Sequence, residues 1–179
     1  MLKELGSLPF FAEDLGVITP DVYALRDQFG IPGTRVLQFA FDGNPENPHL
    51  PQHYPPNAVA YTATHDNNTT RGWFEELEAQ SRQRMWKYLN QSEGNSEEVT
   101  TALMQKVWSS AAALAMAPLQ DLLKLGSEAR MNVPGRAGDN WRWRCDEKML
   151  SAAAFENLGE LTRATNRWRR HDENDRAAP

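Results

Sequence analysis

Short apolar runs that alternate with amphipathic stretches constrain the fold of this chain more than any other feature. The runs "LPFFAEDLG" (8–16), "RVLQFAF" (35–41), "AVAYTAT" (58–64) and "ALAMAPLQ" (113–120) are typical of strands. Parallel strands that helices cover on both faces consist of continuous apolar residues. The alternation therefore predicts an α/β fold built from parallel βα units.

The clearest helix signal lies in "TPDVYALRDQFG", residues 19–30. Thr19 is a typical N-cap, Pro20 suits the first helical position, and Gly30 is a typical stop. Further helical patterns cover Thr69 to Leu89, Asn95 to Ser110, with Val99, Leu103 and Val107 on one face, and a closing amphipathic stretch at 147–170. Residues 42–57 and 122–144 read as loops, the second with a short helix, and the tail 171–179 as frayed.

Composition narrows the class of protein. The 179 residues are 40% hydrophobic and 24% charged, which is enough for one globular domain. A net charge of −5 without a stripe of Lys or Arg argues against nucleic acid and anionic membranes. The longest small-apolar run is far shorter than the roughly 20 residues of a membrane helix. With the single Cys145 and no apolar secretory signal at the start, we expect a cytoplasmic protein.

Polar residues follow the predicted strands. They are Glu13-Asp14, Asp42, His65-Asp66 and the loop around Asn132. In parallel α/β folds the active site lies at the carboxyl ends of the strands, so these groups should share one face. The alternative is that each acid is only an N-cap or a solvated turn residue, which fits Asp14 and Asp42 best. His65 could likewise be a core histidine that the backbone satisfies.

The six tryptophans could pack in the core or present a ring to a ligand. Trp86, Trp108 and Trp168 lie on helical stretches, which favours packing. Trp141 and Trp143 lie in a loop and fit either role.

The blocks "AEDLGVITPDV", "GIPGTRVLQFAF", "THDNNTTRGW" and "MNVPGRAGDNWRWR" occur in that order. In sequence and order they resemble the 4-α-glucanotransferases, or amylomaltases, of glycoside hydrolase family 77. The resemblance implies a (β/α)8 barrel that transfers α-1,4-glucan segments between maltooligosaccharides by a retaining mechanism. It implies neither a metal nor an organic cofactor.

The resemblance also implies roles for individual residues. Glu13 matches the general acid/base, which protonates the departing glycosidic oxygen and then deprotonates the incoming hydroxyl. Asp66 matches a carboxylate that holds the hydroxyls of the reacting sugar, and His65 matches its hydrogen-bonding neighbour. Asp42 and Asn132 match substrate-contacting positions.

The family's nucleophile lies in a motif R-x-D-H-x-R-G, which these 179 residues do not contain. Since a (β/α)8 barrel needs about 250 residues, we expect residues 1–179 to form one partial catalytic barrel. It would be the C-terminal half, with strands 5 to 8 and their helices, and without the N-terminal half. Such a chain should be inactive alone and should self-associate through its open sheet edges.

Two other functions remain open. The chain could be a non-catalytic glucan-binding half-barrel, or a remnant that pairs with a complementary half. His49, His53, His65 and Asp66 could instead form the metal site of a hydrolase, although the histidines lack i, i+4 spacing.

Overall fold

The computed structural model describes residues 10–168, which form two compact units that divide between Arg144 and Cys145. Its helices and strands are, in chain order, α1 (Pro20–Gln28), β1 (Gly33–Val36), β2 (Ala58–Tyr61), α2 (Thr70–Glu76), α3 (Ala79–Leu89), α4 (Ser96–Trp108), β3 (Leu114–Met116), α5 (Leu119–Leu122) and α6 (Ala152–Ala164). Short 3₁₀ helices lie at Leu37–Ala40, Pro51–His53, Ser127–Ala129 and Glu147–Met149. Among residues 10–168, no helix is long and apolar enough to cross a bilayer.

The three strands form one parallel sheet with β2 in the centre. Gly33 of β1 pairs with Ala58 of β2, and Val59 pairs with Leu114 of β3. The predicted parallel α/β fold is therefore confirmed. Residues 37–57 connect β1 to β2 as loop and 3₁₀ helices, whereas α2, α3 and α4 lie between β2 and β3.

The core includes the central strand and one face of the longest helix of the first unit. Ala58, Val59 and Ala60 of β2 are at most 3% exposed, and α4 contacts both α2 and β3. The predicted apolar stripe on α4 is confirmed, since its three members are all buried: Val99, Leu103 and Val107. A capping box between Asn95 and Glu98 fixes where α4 begins.

Helix α1 begins and ends as predicted, but it buries none of its residues. Thr19 is the N-cap, Pro20 is the first helical residue, and Gly30 has a φ of +62°. Leu25 and Phe29 are 57% and 47% exposed. Local end signals, rather than burial within residues 10–168, thus define this helix.

The predicted strand at 8–16 is wrong for its described part, which begins at Phe10. The backbone of Ala12 donates one hydrogen bond to the carbonyl oxygen of Pro32 (2.8 Å), but no ladder follows. The reason is that the carboxylate of Asp14 accepts the hydrogen bond from the Thr34 amide (2.6 Å), which a neighbouring strand carbonyl would otherwise accept. Phe10 and Phe11 remain about half exposed, at 47% and 50%.

The second predicted strand, at 35–41, is only partly correct. Strand β1 ends at Val36, opposite the last residue of β2, and Leu37–Ala40 then forms a 3₁₀ helix. Beyond that pair, no backbone ladder within the described part of the chain supports an extended conformation. The side-chain amide of buried Gln38 donates instead to the carbonyl oxygen of Asn68 (2.8 Å).

The single helix predicted from Thr69 to Leu89 is two helices, α2 and α3. The backbone is extended at Leu77 and Glu78. This break lets the rings of Phe74 and Trp86 pack edge to face, with centroids 5.6 Å apart. In an uninterrupted helix, residues twelve apart would be about 18 Å apart along the axis.

Of the three tryptophans predicted to pack, two do so and one does not. Trp86 and Trp108 are 6% and 7% exposed. Trp168, in the second unit, is 56% exposed and lies 5.7 Å from the guanidinium of Arg163. Since α6 buries none of its residues, it offers no packed surface to cover the indole. Residues 169–179, which include the tail predicted to fray, lie outside the described part of the chain.

Candidate active site

A cleft of about 450 Å³ opens at the carboxyl ends of β2 and β3. Its lining comes from the segment before α1, from Thr34 of β1, from the end of β2 and the turn after it, and from the end of β3 and the residues that follow it. Glu13, Tyr61, His65, Met116 and Arg130 all line it. The expectation that polar strand ends converge is therefore met for Glu13 and His65.

Glu13 and Asp14 are adjacent but lie in different environments. Glu13 is exposed and lines the cleft near Tyr61, whose pKa is raised by burial and, to a smaller extent, by the charge of Glu13. The Asp14 side chain is 3% exposed and pairs with Arg26. Asp14 is therefore a buried anchor that ties the segment to α1 and β1, and not the solvated turn residue that we considered.

His65 and Asp66 lie in the turn that follows β2. The Asn67 side chain accepts hydrogen bonds from the Thr64 amide (2.9 Å) and hydroxyl (2.8 Å), which closes the turn. The imidazole Nε2 of His65 lies 3.3 Å from Oδ1 of Asp66, and the two side chains are 49% and 44% exposed. His65 is thus not a core histidine. The turn presents both groups to solvent.

Asn132 reaches this turn from the loop after β3. Its side-chain amide donates to Oδ1 of Asp66 at 2.6 Å. Arg130 joins the same two residues, donating from Nε to the carbonyl oxygen of Asn132 and from Nη2 to that of Asp66, both at 2.8 Å. The structure therefore brings together His65, Asp66 and Asn132, and adds Arg130, which sequence reasoning missed. Arg130 immediately precedes the "MNVPG" block, in "EARMNVPG", and this position was the feature of the sequence that could have identified it.

Trp141, which the sequence left between two roles, lies at this site. Its ring centroid is 5.3 Å from that of His65, at an interplanar angle of 35°, and the side chain is 50% exposed. Its φ of +62° is unusual for a bulky residue, and its amide donates to the carbonyl oxygen of Met131 (2.6 Å). The indole therefore lies beside the imidazole and remains open to solvent.

A second residue that sequence reasoning missed is Asp121, on α5. It is 1% exposed and accepts hydrogen bonds from the Thr62 hydroxyl (2.6 Å) and from the amide and hydroxyl of Thr70 (2.7 and 2.6 Å). Burial raises the pKa of Asp121 despite these three donors. Asp121 thereby joins the end of β2 to the start of α2, on either side of the His65-Asp66 turn. No local pattern announced it, because its partners are 59 and 51 residues away.

Asp42 is exposed and forms a turn of its own. Its carboxylate accepts a hydrogen bond from the Asn44 amide (2.9 Å), and this bond is the main cause of its lowered pKa. Within residues 10–168, the cleft lining does not include Asp42. This geometry is that of a solvated turn residue.

The three histidines of the described residues, His49, His53 and His65, do not form a metal site with Asp66. Nδ1 of His49 accepts from the Val36 amide (3.1 Å), and Nε2 of His53 lies 2.9 Å from the carbonyl oxygen of Pro45. Within residues 10–168, no group of three or more His, Cys, Asp or Glu side chains is arranged to hold a metal ion.

Carboxylates and an imidazole at the carboxyl ends of parallel strands are typical of the active sites of α/β enzymes. Comparison with known proteins gives the family. A family profile described as 4-alpha-glucanotransferase matches residues 1–150, and this chain belongs to that family.

The relatives agree with this assignment. The chain is 50% identical over 167 residues to the 4-alpha-glucanotransferase of Thermus thermophilus, covering 90% of this chain and 33% of the relative. It is 45% identical over 158 residues to the chloroplastic/amyloplastic 4-alpha-glucanotransferase of Solanum tuberosum, covering 88% and 26%. The solved structure of amylomaltase from Streptococcus agalactiae in complex with acarbose matches with a TM-score of 0.85 at 30% identity, covering 92% and 33%. The chain thus spans between about a quarter and a third of the length of these relatives.

Proposed function

We propose that this chain is the part of a 4-α-glucanotransferase that carries the general acid/base and the sugar-holding carboxylate. The whole enzyme transfers α-1,4-glucan segments between maltooligosaccharides by a retaining double displacement. One observation carries the proposal: in a chain of this family, Glu13 and His65 line one cleft, and the Asp66 carboxylate lies 3.3 Å from the His65 imidazole.

Glu13 is the general acid/base. It protonates the departing glycosidic oxygen and then takes a proton from the incoming sugar hydroxyl. Its exposure inside the cleft supports this role, because the group must reach the glycosidic oxygen. Asp14 cannot share it, since its carboxylate is buried against Arg26.

Asp66 binds hydroxyls of the reacting ring and favours its oxocarbenium-like form. The Asn132 amide (2.6 Å) and the His65 imidazole (3.3 Å) hold its carboxylate, which supports a fixed orientation toward the sugar. His65 and Asn132 are substrate-binding residues. Asp42 is a further, outer substrate contact, which its exposed loop position permits.

The nucleophile comes from residues outside these 179. Retaining glycosidases place the nucleophilic carboxylate about 5–5.5 Å from the acid/base, and no R-x-D-H-x-R-G motif is present here. We assign residues 1–179 to the C-terminal half of a (β/α)8 barrel, with β1, β2 and β3 as three of its last four strands. The outermost apolar residues support this assignment, since Phe10, Phe11, Leu114 and Met116 are each more than a third exposed.

We place this enzyme in the cytoplasm, and its partners are α-1,4-glucans. The acarbose complex of the Streptococcus agalactiae relative suggests acarbose as a probe for this chain.

The direct test is to incubate the purified chain with maltotriose and to look for glucose and longer maltodextrins. The chain alone should form neither product and no glycosyl-enzyme. Addition of a polypeptide with the remaining two thirds of the Thermus thermophilus relative should restore both products. Robust disproportionation by the chain alone, abolished in Asp66→Asn or Asp14→Asn, would show that the nucleophile is misassigned.

The missing motif also favours a second candidate, a glucan-binding half-barrel without catalysis. This candidate predicts acarbose binding to the chain alone and no activity when the complementary polypeptide is added. Transfer activity after complementation would exclude it.

The exposed edges also make self-association part of the proposal. Unpaired strand edges with apolar side chains invite pairing with a second copy. Sedimentation velocity should show dimers or larger species, and the complementary polypeptide should convert them to a single heterodimer. A stable monomer with cooperative unfolding would contradict the half-barrel assignment.

A further inference from the structure

Arg130 lies where the loops after β2 and β3 meet. It follows the 3₁₀ helix Ser127–Ala129, whose last residue is 1% exposed and accepts a hydrogen bond from the side chain of Gln120 (3.2 Å). The arginine therefore extends from an anchored backbone, and its side chain is part of the cleft lining.

The guanidinium donates to two backbone carbonyl oxygens that are far apart in sequence. Nε binds Asn132 and Nη2 binds Asp66, each at 2.8 Å. A guanidinium holds its donors in one plane at fixed spacing, so two simultaneous bonds fix the separation of the two carbonyls. The carboxylate of Asp66 is then left to bind the side chains of Asn132 and His65.

We propose that Arg130 is a positioning residue for Asp66. It sets the distance between the turn that carries Asp66 and the loop that carries Asn132, and thereby the direction of the Asp66 carboxylate. This inference rests on the proposed function, in which Asp66 holds the reacting sugar. A misplacement of about 1 Å at such a group can cost on the order of 100-fold in rate.

Lysine is the informative replacement. Arg130→Lys keeps the positive charge and most of the side-chain length but loses the planar pair of donors, so it cannot bind both carbonyls at fixed spacing. Arg136→Lys is the matched control. Arg136 is 61% exposed in the same loop and pairs only loosely with Asp139, at 3.7 Å.

The first measurement is solvent exchange of the Asn132 side-chain amide by NMR in the 179-residue chain, at concentrations below its association range. The unaltered chain and Arg136→Lys should protect this amide through its bond to Asp66. Arg130→Lys should raise its exchange rate about tenfold or more, which corresponds to about 1.4 kcal/mol or more. If the lysine variant does not fold, Arg130→Gln, whose shorter side chain cannot bind both carbonyls, replaces it and should raise the exchange rate by about the same factor. Unchanged exchange in a folded variant would overturn the proposal.

The second measurement is kinetic and uses a full-length fusion of this chain to the first two thirds of the Thermus thermophilus relative. Arg130→Lys should lower kcat for maltotriose about 10-fold to 100-fold with KM changed less than about threefold. Guanidinium ions should partly restore the activity of Arg130→Ala. A change in KM alone would overturn the positioning role. An inactive unaltered fusion would count against the proposed function, whereas the amide exchange would still decide the role of Arg130.

Discussion

The two regions that supply the proposed catalytic carboxylates are held in very different ways. The stretch from Thr62 to Thr70 carries Asp66, and four of its residues, Thr62, Ala63, Thr69 and Thr70, are at most 4% exposed. The stretch from Phe10 to Phe29 carries Glu13, and one buried residue, Asp14, ties it to the sheet. Helix α1, within the same stretch, buries nothing.

The difference separates what this chain organises by itself from what needs further support. The groups around Asp66 bind one another within residues 10–168, so their geometry is set locally. Glu13 lies on a segment whose apolar side chains are exposed, so few contacts within residues 10–168 hold it in place. We therefore expect the Asp66 side of the cleft to be ordered in the isolated chain and the Glu13 side to depend on complementation.

The largest effect should come from Glu13→Gln in the full-length fusion. The change keeps the shape but removes the transferable proton, so the rate with maltotriose should fall about 10²-fold to 10⁴-fold. A glycosyl fluoride, whose leaving group needs less protonation, should lose less in the first step. Equal losses for both donors would contradict the acid/base role.

Asp121→Ala should destabilise the stretch from Thr62 to Thr70, which is the better held of the two regions. It leaves the Thr62 hydroxyl and both donors of Thr70 without their buried acceptor. The free energy of unfolding should fall by at least about 3 kcal/mol in urea titrations. The control is Glu46→Ala, at an exposed turn residue of the same unit, which should change it by less than about 0.5 kcal/mol. Equal effects would mean that the Asp121 network does not hold the turn.

The pH dependence of stability tests the same network. Burial raises the pKa of Asp121, so the unfolded chain loses this proton at a lower pH than the folded chain. As pH rises from about 4 toward that raised pKa, the unfolded state binds fewer protons, and the free energy of unfolding should fall. The difference in stability between the unaltered chain and Asp121→Asn should therefore shrink with rising pH. A difference that grows would show that the three donors outweigh burial.

Asp14→Asn should destabilise only the stretch from Phe10 to Phe29, which is the less well held of the two regions. It removes the ion pair with Arg26 and weakens the bond to the Thr34 amide. Because Arg26 can turn toward solvent, we expect a loss of about 2 kcal/mol, below the range for fully buried pairs. Hydrogen exchange should increase at the Thr34 amide and in α1, and remain slow around Thr70. Faster exchange in both regions would mean that the two sides are coupled.

The smallest effect should come from Trp141→Ala. Loss of its contact with His65 should weaken acarbose binding about threefold to tenfold, since an aromatic pair contributes about 1 kcal/mol. The His65 ring protons should also lose the ring-current shift of the indole in NMR spectra. Trp168→Ala, at a tryptophan of similar exposure in the second unit, is the control and should change neither. Unchanged acarbose binding and unchanged His65 shifts in Trp141→Ala would show that the indole is not part of the site.

Those parts of the fold that depend on neighbouring residues were predictable. Thr19, Pro20 and Gly30 are enough to delimit α1, and the spacing of Val99, Leu103 and Val107 identifies the buried face of α4. The end of the predicted strand at 58–64 and the family blocks identified His65, Asp66 and Glu13 as candidate site residues. These signals are local, so the sequence displays them directly.

The parts that depend on distant partners were not predictable. The apolar run at 8–16 predicts a strand, because the sequence does not show that Asp14 binds the Thr34 amide, twenty residues away. In the sequence, Asp121 is an ordinary acid on a short helix. Its role could not be predicted because its partners, Thr62 and Thr70, approach it only in the folded chain. The role of Arg130 likewise could not be predicted, because it depends on the contact between the loops after β2 and β3 in the folded chain.

The opposed directions of Glu13 and Asp14 also determine which changes of length this segment can accept. One residue inserted between them would lengthen the link between the anchor and the proposed acid, so we expect Glu13 to leave its place in the cleft while Asp14 keeps its bonds to Thr34 and Arg26. Substitutions elsewhere in the segment would leave that link unchanged. In laboratory evolution we therefore expect this segment to accept changes of sequence more readily than changes of length.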